Sequence, residues 1–210
     1  MKLASHQADF APYLGFWAKL NNSDVFVIHR SGRFEREKYH SRVKVGTDGS
    51  SRWLSVPVSC PGPRISDTVM AQNVSIETIT GVMAQAHRGM RFRKSAESVI
   101  RGLAHMIGPG KSLSDFNIEL VRNVCRIFGF KQPIVESDED YHLHDDVSVR
   151  IAERCVRNGC NTYLSGSGGR NYLDETVFAA RGIKVEWSAP LLPDGAKTVS
   201  VLSAIAAGAV

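Results

Sequence analysis

The chain has 210 residues, 43% of them hydrophobic, and a formal net charge of +5. That length can bury a sizeable core without disulfides or metal, and no run of about 18 apolar residues exists to cross a bilayer. The opening MKLASHQADF carries an Asp where a signal peptide needs an apolar stretch, so a soluble, cytosolic protein with no membrane partner is expected.

The charge is unevenly spread. Residues 1 to 111 hold sixteen Lys and Arg against eight Asp and Glu, whereas the remainder holds ten against thirteen. Two basic blocks stand out: Arg30, Arg33, Arg36, Lys38, Arg42 and Lys44, then Arg88, Arg91, Arg93 and Lys94. Such blocks either track phosphates or form a solvated face. The four cysteines, Cys60, Cys125, Cys155 and Cys160, show neither a CxxC nor a Cys–His spacing typical of zinc, so reduced, buried thiols are expected.

In chain order, Met1 to Ser5 reads as a first strand and Ala11 to Leu20 as a helix with Pro12 near its first turn. Asp24 to Ile28 is a β-branched and aromatic run, followed by strand patterns at Arg42 to Val45 and Trp53 to Val58 around the turn Gly46 to Gly49; this portion has the character of a sheet. Helical periodicity then covers Ile76 to Ala86, Phe92 to Ile107 and Leu113 to Phe128, the last with Gly129 as its C-cap. Pro133 to Glu136 reads as a short strand, Ser137 to Asp146 as an acidic loop, and Val147 to Asn158 as a helix. The final third alternates strand Asn161 to Ser165, Gly-rich turn, helix Asn171 to Arg181 and strand Ile183 to Trp187, which implies parallel pairing. An apolar tail, Val199 to Val210, packs on the core as a helix. The expected fold is α/β: one Rossmann-like domain over residues 1–210, with a mixed or parallel sheet flanked by helices. No internal repeat or linker divides it.

Two stretches concentrate chemistry. In Ser165-Gly166-Ser167-Gly168-Gly169-Arg170, small residues between a strand and a helix let backbone N–H groups approach an anion, with Arg170 adding charge; an ordinary tight turn is the plainer reading. The pattern is neither a Walker A nor a full dinucleotide fingerprint. In Ser5 to Lys19, polar side chains gather where the first strand meets the first helix, the usual ligand position of open α/β sheets. There His6 can act as general base or acid, Asp9 can hold an amine or orient His6, and Lys19 can neutralise phosphate. Singly, these read more plainly as a core histidine, an N-cap and a surface charge. His142 to Asp146 offers ligand-competent groups but reads better as a helix-capping acidic loop, so no metal site is expected. Ser165 and Ser167 lack the G-x-S-x-G elbow of serine hydrolases.

The opening HQADFAPYLGFWAKLNNSDVFVI, the later SRWLSVPV, and TYLSGSGGRNYLDETVFAARGIKVEW with the terminal LSAIAAG together resemble the WbqC-like family over nearly the whole chain. His6, Gln7, Pro12, Gly15, Asp24, Trp53, Pro57, Tyr163, Ser165, Gly166, Tyr172 and Asp174 occupy matching positions. Ala8 departs from the usual Pro, His29 to Phe34 from a more acidic segment, and Ser41-Arg42 from an Asn-Arg pair. The resemblance implies either aminosugar modification in surface-polysaccharide synthesis or, as in phages that hypermodify thymine, transfer of an amino acid such as glycine to DNA. In the second setting the amine displaces pyrophosphate from an activated 5-hydroxymethyl uracil base, and the basic N-terminal half favours this version. Its requirements map onto candidates: His6 or Asp9 on the amine; Gly166 to Arg170, Arg33 and Arg42 on the phosphates; Tyr13 or Trp17 as stacking surfaces; Gln7 and Lys19 among the binding groups. The implied partners are DNA and a free amino acid, with no cofactor required and Mg²⁺ assistance left open. The alternatives are aminoacyl or acyl transfer to a nucleotide-linked aminosugar, and a nucleic-acid-binding module without catalysis.

Overall fold

The computed structural model describes residues 1–47, 51–60, 62–137, 146–189 and 200–209. From the N-terminus come β1 (Lys2–Gln7), α1 (Leu14–Asn21) and β2 (Val25–His29). A long excursion follows, with β3 (Arg42–Val45), β4 (Arg52–Ser55), β5 (Val58–Ser59), β6 (Val69–Met70), α2 (Ile76–Ala86), α3 (Arg93–Arg101) and α4 (Leu113–Phe128). The chain then forms β7 (Ile134–Ser137), α5 (Val147–Arg157), β8 (Thr162–Ser165), α6 (Glu175–Ala179), β9 (Lys184–Trp187) and α7 (Val201–Ala207).

Five strands make one sheet in the order β7-β2-β1-β8-β9, and every pairing in it is parallel. The fold is therefore α/β and Rossmann-like, and the mixed or parallel alternative resolves to parallel for this sheet. Side chains alternate across it. Leu3, Val25, Val27 and Tyr163 face α5 and α6 in one cluster with Ile151, Cys155 and Phe178. Ala4, Phe26, Ile28 and Leu164 face α1 and the excursion in a larger one. Phe16 of α1 meets Phe26 edge-on with ring centroids 4.8 Å apart, and burying each such ring stabilises the fold by about 1.5–3 kcal/mol.

Several elements differ from expectation for identifiable reasons. The four strands that directly follow β2 do not join its sheet: β3 pairs antiparallel with β4, and β5 with β6, as separate two-stranded units. The run Trp53 to Val58 is interrupted at Pro57, which cannot donate to a ladder. Helix α1 starts after Pro12, not at it, because Ala11 sits in the left-handed region at φ 43° and turns the chain first. The helical pattern over Phe92 to Ile107 stops at Gly102, leaving α3 and a 3₁₀ turn at Ala104–Met106. Residues Ser167–Asn171 form a 3₁₀ turn, and α6 waits for Asp174, whose carboxylate accepts from the Thr176 N–H at 2.9 Å and caps the helix. Gly129, at φ 71°, ends α4 as expected. The apolar tail is α7, with Val201, Leu202 and Ala206 buried. Cys125, Cys155 and Cys160 are buried free thiols and Cys60 is half-buried; burial pushes Cys155 up to about 12 and Cys125 up to about 11.

Candidate active site

The strand order reverses direction between β1 and β8: from β1 the chain winds outward to β2 and β7, then returns beside β1 and proceeds to β9. Loops leaving two such strands diverge to opposite faces and open a crevice at their carboxyl ends. A cleft of about 730 Å³ lies there, lined among others by Ser5, His6 and Gln7 from the end of β1 and Ser165 and Gly166 from the end of β8. Its size suits a drug- or nucleotide-sized ligand.

On the α1 side, His6 packs edge-on against Phe16 with centroids 5.2 Å apart, and its side chain is 17% exposed. Its Nδ1 lies 3.2 Å from the Gln7 carbonyl and 3.4 Å from Asp9 Oδ2. Both neighbours are acceptors, so Nδ1 carries the proton and Nε2 is the basic nitrogen. Burial, reinforced by Lys19, brings the imidazole down to about 4, and it is neutral at pH 7. Asp9 is buried and caps no helix: its other oxygen accepts from His40 Nδ1 at 2.9 Å. Asn117 of α4 donates to the carbonyls of Ala8 and His40 at 2.8 Å each, pinning the loop that carries this group.

Lys19 is 6% exposed and also lines the cleft. Its ammonium donates to the Ser5 carbonyl at 3.0 Å, and no carboxylate among the described residues reaches ion-pair distance. Desolvation lowers it to about 8. A lysine so placed is costly in the empty cleft and is rewarded by an anion.

The opposite wall comes from α5. Arg154 is 5% exposed and donates through Nη1 to Ser5 Oγ at 2.8 Å; the same hydroxyl lies 3.3 Å from the Tyr163 hydroxyl. Arg150 lines the cleft one turn earlier, as does Asp146, which caps α5 by accepting from the Ser148 and Val149 N–H groups. The Gly-rich turn forms the rim. A Cβ at Gly169 would stand 2.1 Å from Ser165 Oγ and 3.1 Å from the Trp187 ring, so only glycine lets the turn close onto the strand ends. At Gly168, by contrast, a Cβ would meet nothing within 4 Å, so packing does not demand glycine there. The Gly169 N–H is spent on the Gly166 carbonyl at 3.0 Å, which leaves fewer backbone donors for an anion than the sequence implied.

Of the residues singled out from sequence, the structure gathers His6, Gln7, Tyr13, Lys19, Ser165, Gly166, Gly168 and Gly169 at the cleft, with Asp9 directly behind His6. Ser167, Arg170, Arg33 and Arg42 are not in its lining. Arg170 lies over the Trp187 ring at 4.3 Å, Arg42 over Trp53 at 4.4 Å, and Arg33 forms a bridge with Arg64. Trp17 is 3% exposed with its Nε1–H on the Pro12 carbonyl at 3.2 Å: it is core, not a stacking platform. His142 to Asp145 lie outside the described residues, and among those described no group of three or more His, Cys, Asp and Glu could hold a metal.

Arg150, Arg154 and His29 were missed as site residues. The two arginines stand four apart on a helix flanked by apolar Ile151 and Cys155, so the i, i+4 spacing puts charge on an inward stripe, a signal available in the sequence. His29 ends β2 beside Gln7, and burial next to Arg154 holds it well below its usual range.

The WbqC-like protein family matches residues 7–194, which takes in the cleft lining from Gln7 to Asp174 and leaves Ser5 and His6 just before the match. The chain belongs to that family. An uncharacterized protein of Mycobacterium tuberculosis, Rv1507c, is 27% identical over 194 residues, covering 89% of this chain and 81% of the relative. No solved structure matches. Among the described residues of this WbqC-like protein, no helix is long and apolar enough to cross a membrane.

Proposed function

We propose that this WbqC-like protein is a transferase that joins an amino-acid amine to a pyrophosphate-activated acceptor, the acceptor being a pyrophosphorylated 5-hydroxymethyl uracil base in DNA. The observation that carries the reading is the buried Lys19: a cation with one carbonyl partner, at the bottom of a cleft whose other wall holds Arg150 and Arg154. Such a site suits a compact polyanion, and the arrival of pyrophosphate would raise the Lys19 ammonium from about 8 and keep it charged.

In the proposed reaction the neutral amine attacks the exocyclic methylene carbon. A C–N bond forms, the C–O bond breaks, and the electron pair leaves with pyrophosphate. Lys19 and the arginines stabilise the charge that builds on the departing oxygen. The attacking nitrogen then loses a proton to His6 Nε2, whose opposite nitrogen is fixed by the Gln7 carbonyl and Asp9. Tyr13 and Tyr172 line the cleft and offer ring faces for the extruded base. No cofactor enters these steps; Mg²⁺ on the pyrophosphate would act as a further countercharge, and adding a chelator reads its share.

The test is to incubate the protein with amino acids, glycine first, and DNA bearing the pyrophosphorylated base, then digest to nucleosides and weigh them by mass spectrometry. An amino-acid adduct with release of pyrophosphate is expected. Its absence, together with an adduct on a nucleotide-linked aminosugar, would replace the acceptor with the polysaccharide precursor. Salt-sensitive DNA binding that survives loss of His6 and Asp9, with no turnover on either acceptor, would make the protein a binding module.

A further inference from the structure

We propose that the outer face of the β3–β4 hairpin is a docking surface for single-stranded DNA, and that it feeds a strand into the cleft. The inference rests on the DNA-acceptor reading and specifies how that acceptor is held.

The hairpin has two unlike faces. Val43, Val45 and Leu54 point inward and are at most 1% exposed. The alternate positions, Arg42 and Lys44 on β3 and Trp53 and Ser55 on β4, point outward, with Lys44 directly opposite Trp53. Trp53 is 41% exposed. Arg42 lies over its ring at 4.4 Å and Lys44 at 5.5 Å from the centroid, so two cations stack on an exposed aromatic that a base can share.

The platform is continuous with the cleft. The Tyr39 ring lies 6.2 Å from Trp53 and 6.3 Å from Tyr13, and Tyr13 lines the cleft 6.3 Å from His6. Four rings thus run in a row from the exposed hairpin to the proposed base. The segment that carries Tyr39 and β3 is basic: residues 33 to 44 hold Arg33, Arg36, Lys38, Arg42 and Lys44 against Glu35 and Glu37. Glu37 pairs with Arg42, and its own side chain is 83% exposed, so a phosphate can displace it at small cost. Aromatic faces interleaved with cations are what single strands bind, because unpaired bases offer open π-faces and the backbone offers negative charge. Duplex DNA keeps its base faces stacked and cannot use Trp53.

The test measures anisotropy of a labelled oligothymidylate, an abasic strand of the same length, and the thymidylate duplex, over a range of salt. The expected pattern is salt-dependent binding that favours the thymidylate strand, about tenfold weaker in Trp53→Ala and largely retained in Trp53→Phe. Lys44→Gln should lower the slope of log affinity against log salt by about one; should Trp53→Ala fail to fold by circular dichroism, this exposed substitution carries the test. Equal binding of the abasic strand, a preference for duplex, or wild-type affinity in Trp53→Ala would overturn the proposal and reduce the Arg42–Trp53 contact to hairpin stabilisation. Binding requires neither amino acid nor activated base. A negative transfer assay with intact, Trp53-dependent strand binding therefore overturns the chemistry assigned to the cleft and not this surface; transfer to DNA at full rate in Trp53→Ala overturns this surface alone.

Discussion

Lys19 and Lys44 are the same residue in opposite circumstances. Lys44 stands on the outside of a hairpin, keeps its hydration and leans towards an indole. Lys19 is shut into the cleft with a lone carbonyl and an ammonium lowered to about 8. An exposed cation costs the fold almost nothing and contributes attraction that salt can screen. A buried one destabilises the empty protein and acts on whatever anion shares its low-dielectric surroundings, where its effect is large. On the proposed reading the contrast separates two jobs: the hairpin gathers a polyanion, and the cleft acts on one phosphorylated group within it.

Removing Lys19 should produce the largest effect. Lys19→Met is expected to lower the transfer rate about 10³-fold, the scale of losing one preorganised charge-stabilising donor. The same substitution should raise stability in urea at pH 7 by up to about 3 kcal/mol, because a charge held about 2.5 pH units below its usual 10.5 is no longer buried. An activity loss accompanied by destabilisation would mean that Lys19 supports the fold and not the ligand.

Next is the base. His6→Gln should lower kcat about 10²-fold. In the proposed reaction Asp9 acts through His6, so Asp9→Asn should lower kcat about tenfold with little change in KM, and should shift the pH profile assigned to His6; an unchanged profile would leave Asp9 a purely structural partner of His40.

Stability should carry the pH signature of both buried basic groups. Between about 8 and 10.5 the unfolded chain holds a proton on Lys19 that the folded chain releases, so the Lys19 contribution to stability rises with pH across that window, while the buried thiols of Cys125 and Cys155, which stay protonated in the folded chain, contribute in the opposite direction. His6 behaves as Lys19 does between about 4 and 6.5, so stability falls as pH drops through that range. Urea midpoints across both windows measure this, and the stability advantage of Lys19→Met over the wild type should shrink as pH rises through the upper one. The smallest expected effect concerns the loop behind His6. Ala11 is held at φ 43° with its methyl fully buried, and Ala11→Gly should change stability by less than about 1 kcal/mol, the strain relieved being offset by the entropy lost by glycine and by the lost burial of the methyl.

Much of the architecture could be read from the sequence because its signals are local. The β-branched run at Val25–His29, the Asp146 and Gly129 caps and the strand-turn-helix alternation after Thr162 each announce themselves within a few residues. The helix start at Leu14 could not, since the left-handed Ala11 that delays it is held by distant groups: Ser200 donates to its carbonyl at 3.1 Å across 189 positions. The same distinction applies to the site. His6, Gln7 and the Gly166 turn were visible at strand ends, where parallel sheets bind ligands. Arg154 was not, because its position depends on α5 crossing over Ser5, a contact 149 positions apart. Arg42 and Arg33 were assigned to phosphates from their charge, and only packing reveals that they sit outside the cleft, Arg42 on the hairpin's outer face.

The most direct test of the account is calorimetric titration of inorganic pyrophosphate into the wild-type protein and Lys19→Met at pH 8, in buffers of different ionisation enthalpy. Tight binding to the wild type is expected, with Lys19 taking up a proton as it becomes fully charged beside the anion, and much weaker binding in Lys19→Met. Equal binding in both proteins would contradict the claim that the buried lysine makes this cleft a pyrophosphate site.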